Sequence, residues 1–166
     1  TTDQGVIEDN GIAIDPYGSS VYLQGSNSVS ISHCNFTNNT AICGGGAIYA
    51  KTKSAALESN RFVDCSVSGR SISNKGYGGA IFINQEDEDQ TNSDEDFEQV
   101  TGNIFINCHA KTSGGGIFVY CHDEHHRKSA RAIEENPFVI IIDMSNFTDC
   151  SSEVEGGALC SGFYDL

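Results

Sequence analysis

Tryptophan is absent from this chain, methionine occurs once and proline twice, and its longest apolar run is the five residues Phe138-Val139-Ile140-Ile141-Ile142. A membrane-spanning helix needs about 20 apolar residues, so the run is strand-sized and no membrane span is expected. Positive charge is scarce too. Nine Lys and Arg face 23 Asp and Glu, a net charge of −14. That balance repels the phosphates of nucleic acid and of anionic membranes, so no nucleic-acid partner is expected. What is plentiful is glycine, 18 of 166 residues, with nine Phe, six Tyr and seven Cys. Such a mix disfavours helices and suits short strands joined by tight turns. The length fits a single domain over residues 1–166, one that buries about two-thirds of its unfolded surface. The chain opens Thr1-Thr2-Asp3 with neither methionine nor signal peptide, so a removed leader or a longer parent chain is expected.

Internal repetition organises the rest. Gly45-Gly46-Ala47-Ile48-Tyr49-Ala50, Gly78-Gly79-Ala80-Ile81-Phe82-Ile83, Gly114-Gly115-Gly116-Ile117-Phe118-Val119 and Gly156-Gly157-Ala158-Leu159-Cys160-Ser161 share one grammar. A second motif alternates with it, centred on Phe36, Phe62, Phe105 and Phe147. From Phe to second Gly the spacing is 10 residues in three copies and 17 in the fourth. The undisturbed period, Phe36 to Phe62, is 26 residues, and the later steps of 43 and 42 read as the same unit carrying insertions near 85–98 and 122–137. A weaker copy stands at Gly18-Ser19-Ser20-Val21-Tyr22-Leu23 and another candidate at Gly11-Ile12-Ala13-Ile14. Repeats of this length stack into a solenoid.

Aligning the copies resolves the faces. Five residues before each Phe stand Ile31, Leu57, Val100 and Ile142, and one residue later Ser32, Glu58, Thr101 and Asp143. Apolar beside polar marks a strand with one buried face. Two residues before the Phe come Cys34, Asn60, Asn103 and Ser145, and two after it Asn38, Asp64, Asn107 and Asp149, short polar residues that suit turns. The fold expected is all-β: a right-handed parallel β-helix of about five three-strand coils, Phe stacked on Phe and Ile on Ile, with the glycine pair at a tight corner.

The Gly-Gly-Ala-Ile motifs and Phe36-Thr37-Asn38-Asn39 resemble the repeats of chlamydial polymorphic outer-membrane proteins and of related β-helical surface proteins of other microbes. The likeness spans about residues 18–166. In the three later copies Cys65, Cys108 and Cys150 stand where the first has Asn39. The resemblance implies a secreted β-helical surface segment, often adhesive, without catalytic residues.

Cys65, Cys108 and Cys150 share one column, so neighbours are expected about one strand spacing apart, within the roughly 4.4–6.8 Å a disulfide requires. Cys34, Cys43, Cys121 and Cys160 are further candidates, and seven being odd leaves at least one thiol unpaired within the chain. The alternative is a ladder of reduced, buried thiols acting as small hydrophobes. Three sequons, at Asn35, Asn38 and Asn146, point to the same extracellular or cell-surface location. Asn35 and Asn146 immediately precede an inward Phe and so face outward.

The insertion around 85–98 holds eight acidic residues. Ca²⁺ is conceivable there, but without an EF-hand pattern a solvated acidic loop is expected. The insertion at 122–137 opens with His122, His125 and His126 beside Cys121. Zn²⁺ or Cu²⁺ is the alternative; the adjacency of His125 and His126 favours an exposed polar loop, so neither metal nor cofactor is expected. Catalytic motifs are missing, and the acids of the turn column stand two coils apart. The expectation is therefore not an enzyme but an extracellular structural subunit that stacks head to tail into a filament or coat. An adhesin segment binding a host or matrix glycan or protein is the second reading, and a polysaccharide-active enzyme the third.

Overall fold

The computed structural model describes residue 18 and residues 20–69, 76–85, 97–121 and 139–162. These residues are all-β, and each of their strand pairings is parallel. Coil 1 holds β1 (Val21–Ser32), β2 (Asn35–Thr37) and β3 (Thr40–Ala41), and coil 2 holds β4 (Ile48–Glu58), β5 (Arg61–Val63) and β6 (Ser66–Val67). In coil 3 the long strand is split into β7 (Ile81–Gln85) and β8 (Phe97–Thr101), followed by β9 (Ile104–Ile106) and β10 (His109–Ala110). Coil 4 repeats that plan with β11 (Ile117–Cys121), β12 (Val139–Asp143), β13 (Asn146–Thr148) and β14 (Ser151–Ser152); β15 (Leu159–Gly162) opens a fifth. Three strands per coil, as the repeat predicts, therefore stack into a parallel β-helix. The earliest candidate copy, Gly11-Ile12-Ala13-Ile14, lies outside the described residues.

Register follows the sequence columns. Phe36 pairs with Phe62, Phe62 with Phe105 and Phe105 with Phe147. The rings stack nearly parallel, with centroids 4.9, 4.8 and 4.6 Å apart. Ile48, Ile81 and Ile117 form a second inward column, and Leu57 and Val100 a third, all within 2 % of full burial. One coil alone buries none of this, because every inward side chain needs its copy above or below.

Three corners per coil turn the chain, and each places one residue in the left-handed region. The first corner uses His33, Ser59, Gly102 and Met144, the second Asn38, Asp64, Asn107 and Asp149, and the third Gly45, Gly78, Gly114 and Gly156. Asn and Asp tolerate that conformation through local hydrogen bonding. The glycine pair divides its work. Gly78 turns the corner at φ 65°, and its neighbour Gly79 lets the next coil approach, since a Cβ there would lie 2.0 Å from the carbonyl oxygen of Gly115.

One column departs from expectation. The position two before the inward Phe, predicted as a turn, is instead a buried polar ladder just past the first corner. Asn60 and Asn103 are almost fully buried. The Asn60 backbone N–H donates to Asn103 Oδ1 at 2.9 Å, and the Asn103 amide donates to the Leu57 carbonyl at 2.7 Å. The Cys34 N–H donates in turn to Asn60 Oδ1 at 2.9 Å. These amides satisfy backbone groups that the corner withdraws from the ladder, and an unsatisfied buried group costs about 1–3 kcal/mol.

Two substitutions separate these roles. Gly79→Ala meets backbone and should cost more than about 3 kcal/mol, whereas Gly25→Ala, with nothing within 4 Å of its Cβ but φ at 72°, should cost only about 1–2 kcal/mol. Asn103→Ala strands the Asn60 N–H and the Leu57 carbonyl and should cost about 2–4 kcal/mol. Denaturant midpoints at constant slope check all three, and an Asn103→Ala midpoint equal to wild type would remove the ladder's structural role.

Candidate functional site

The side chains able to do chemistry fall into columns, each set by the coil's period. Three residues beyond the inward Phe, Cys65 and Cys108 are fully buried while Cys150 is half-buried at the edge of the last coil. Each thiol donates to the carbonyl two residues before it: Cys65 to Val63 at 3.5 Å, Cys108 to Ile106 at 3.5 Å and Cys150 to Thr148 at 3.6 Å. The structure thus brings together the three cysteines that the sequence aligns, as thiols. Cys34, Cys43 and Cys160 are thiols standing in other columns. Cys34 is exposed and lies beside Asn60, and Cys160 pairs with Phe118. The Cys121 side chain lies outside the described residues.

The column Asn38, Asp64, Asn107 and Asp149 is exposed on the second corner. Asn107 Nδ2 donates to Asp64 Oδ1 at 2.6 Å, and Asp149 stands one coil beyond Asn107. Two acids two strand spacings apart, about 9–10 Å, are too far apart to share a proton. Among the described residues no group of three or more His, Cys, Asp and Glu could hold a metal ion. His122, His125 and His126 lie outside the described residues, as does most of the acidic insertion.

Both insertions leave the sheet at one place. Gln85 pairs with Cys121 where the chain departs, and Phe97 pairs with Val139 where it returns. In coil 2 the same point is bridged by β4 itself, with Thr52 buried and its hydroxyl donating to the Ser54 carbonyl at 2.9 Å.

Asn35, Asn38 and Asn146 are exposed. Asn35 and Asn146 share a face with exposed Arg61 and with Ile104, which is 41 % exposed. The Thr148 hydroxyl donates to Asn146 Oδ1 at 3.4 Å within its own sequon.

A second apolar cluster lies on the opposite face of the long-strand sheet, and the sequence reading did not identify it. Tyr49, Tyr77, Phe82, Phe118 and Tyr120 are buried there, with Tyr22 and Cys160 packed against them. Tyr22 stacks on Tyr49 at 5.1 Å, and Tyr77 on Phe118 at 4.6 Å. Burial raises the Tyr77 pKa above that of an ordinary tyrosine, and nearby Glu155 and Cys160 add to the rise. The signal was present: the residue after each inward Ile is aromatic in three copies, and strand alternation turns it outward.

Residues 33–51 match the family model of the Chlamydia polymorphic membrane protein repeat. That stretch runs from the first corner of coil 1 to the start of β4, and it is the copy that carries both Phe-x-x-Asn and Gly-Gly-Ala-Ile. No curated protein and no solved structure matches the chain. Among the described residues no helix is long and apolar enough to cross a membrane, which leaves a β-barrel open. The chain is a parallel β-helix in which residues 33–51 are similar to the Chlamydia polymorphic membrane protein repeat.

Proposed function

We propose that this chain is an extracellular structural element, a β-helix whose C-terminal face receives a further coil from a second copy, building a filament or surface coat. One observation carries the reading: the columns that are sealed inside coils 2 and 3 continue to the last coil and stay open there. Leu159, stacked on fully buried Ile117, is 38 % exposed, and Phe147 is only half-buried where Phe62 and Phe105 are fully buried. Among the described residues β12, β13, β14 and β15 each end their stack, presenting a strand edge and apolar side chains at the spacing another coil would match. At the other end β1, β2 and β3 have described neighbours on one side only. A head-to-tail contact of this kind grows without closing. The second reading is an adhesin segment within a longer β-helix, favoured by the match to a surface-protein repeat.

Electron microscopy and light scattering across protein concentrations test this. Fibres one chain wide are expected, with Leu159→Lys raising the assembly concentration at least about tenfold, equivalent to 1.4 kcal/mol. Single particles at every concentration would favour the adhesin segment. Glycans on the exposed face complete the reading. Secreted from a eukaryotic host, the chain should carry mass above its polypeptide that Asn35→Gln and Asn146→Gln remove stepwise; an unshifted intact mass would eliminate this part.

A further inference from the structure

The column three residues beyond the inward Phe reads Asn39, Cys65, Cys108, Cys150. His109 N–H donates to the Cys65 carbonyl and Ser151 N–H to the Cys108 carbonyl, both at 2.9 Å. Consecutive cysteines therefore sit one strand spacing apart, about 4.8 Å between Cα atoms, inside the range a disulfide spans. Access differs along the column. Cys65 and Cys108 are sealed, and Cys150, in the last described coil, is half-buried. Among the described side chains, Cys150 alone combines access with a cysteine directly beside it. Exposed Cys34 has Asn60 as its column neighbour, and half-buried Cys160 has Phe118.

We propose that Cys150 and Cys108 form a thiol–disulfide exchange site for small disulfides of the glutathione class, with Cys150 attacking and Cys108 resolving. In the first step the Cys150 thiolate attacks one sulfur of the external disulfide. The S–S bond breaks, a mixed disulfide forms on Cys150, and the departing thiolate takes up a proton. The Cys108 sulfur then attacks the Cys150 sulfur, the bond from Cys150 to the small thiol breaks, and the Cys108 proton passes to the departing small thiolate. Two protein thiols and one disulfide become one protein disulfide and two small thiols, and coils 3 and 4 are covalently joined.

Electrostatics fit these roles. The Cys108 thiol, hydrogen-bonded to Cys150, lowers the Cys150 pKa to about 7 against the opposing effects of burial and of the Asp149 carboxylate. Cys108 is itself pushed up by its bonds to Cys150 and Cys65 and by burial, so of the two thiols Cys150 is the one that ionises first. An attacking thiol with a pKa near ambient pH is the most effective in exchange. A coil stacked on the C-terminal face would shield Cys150, so the chemistry belongs to chains whose C-terminal face is uncovered.

The test treats the full chain, dilute enough that scattering shows single chains, with oxidised glutathione, then quenches with alkylating reagent and maps peptides by mass spectrometry. Wild type and Cys65→Ser should both yield a Cys108–Cys150 crosslink. Cys108→Ser, with its fold checked by circular dichroism, should stop at glutathione bound to Cys150. Modification of Cys150 in wild type should be half-maximal near pH 7, and Cys108→Ser, which removes the thiol that lowers it, should move that midpoint upward. A Cys65–Cys108 crosslink, a persistent mixed disulfide on Cys150 in wild type, or an unmodified Cys150 would each overturn the proposal.

Discussion

Each residue in this fold must tolerate a copy of its own column about 4.8 Å away, the spacing of hydrogen-bonded strands. The Phe rings meet the condition directly, since 4.6–4.9 Å between centroids is both the strand spacing and a comfortable aromatic stack. The same condition explains the outward columns. On the second corner Asn38, Asp64, Asn107 and Asp149 alternate amide and acid, so no carboxylate has a carboxylate next to it and one amide bridges to its acid neighbour. Lys111 stands over Glu153 in another exposed column. Like charges opposed on neighbouring strands are destabilising, and a chain with a net charge of −14 can stack only by keeping its acids apart in this way or placing them outside the coils.

Much of the fold was legible because the stack repeats in sequence what it repeats in space. Phe36, Phe62, Phe105 and Phe147 predicted one another's register, and the glycine pair predicted a corner. Where the reading failed, composition was ambiguous between two environments. Asn60 and Asn103 have the short polar side chains of turn residues, and they do lie next to a corner. Their amides point inward to satisfy backbone groups, and only the three-dimensional path of the chain decides between these roles. The outward aromatics Tyr49, Phe82 and Phe118 were harder still: alternation gives their direction, but not that the face they occupy is buried.

The candidate site was half legible for the same reason. Alignment placed Cys65, Cys108 and Cys150 in one column, and the structure keeps them there. Sequence could not supply the gradient of access along that column, which comes from the last coil having no described neighbour beyond it. The substitution of Cys for Asn39 alters the column's character as well. Asn39 bonds to Ser20 within the first coil; the thiols that follow make long, weak bonds to nearby carbonyls and interact with one another along the column. A thiol column packs as a hydrophobe when sealed and becomes reactive only where it reaches water, so one residue type serves as core in the middle of the solenoid and as chemistry at its end.

The insertions obey the stacking rule by entering where it is weakest. The long strand of each coil is really two, joined at a bend that β4 crosses through the hydroxyl of Thr52 and the backbone of Ser54. At the corresponding point of coil 1 the register with β4 slips between Gln24 and Ser26, leaving Gly25 as an extra residue with nothing within 4 Å of its Cβ. Coil 3 leaves the sheet after Gln85 and returns at Phe97, and coil 4 leaves after Cys121 and returns at Val139. One extra residue, then a long insertion, then a longer one thus occupy one point of the coil. A loop's closing cost grows only slowly with its length, so a bend that admits one residue admits many at little further cost. The solenoid can therefore vary the surface above this bend from coil to coil while its stacked interior stays in register.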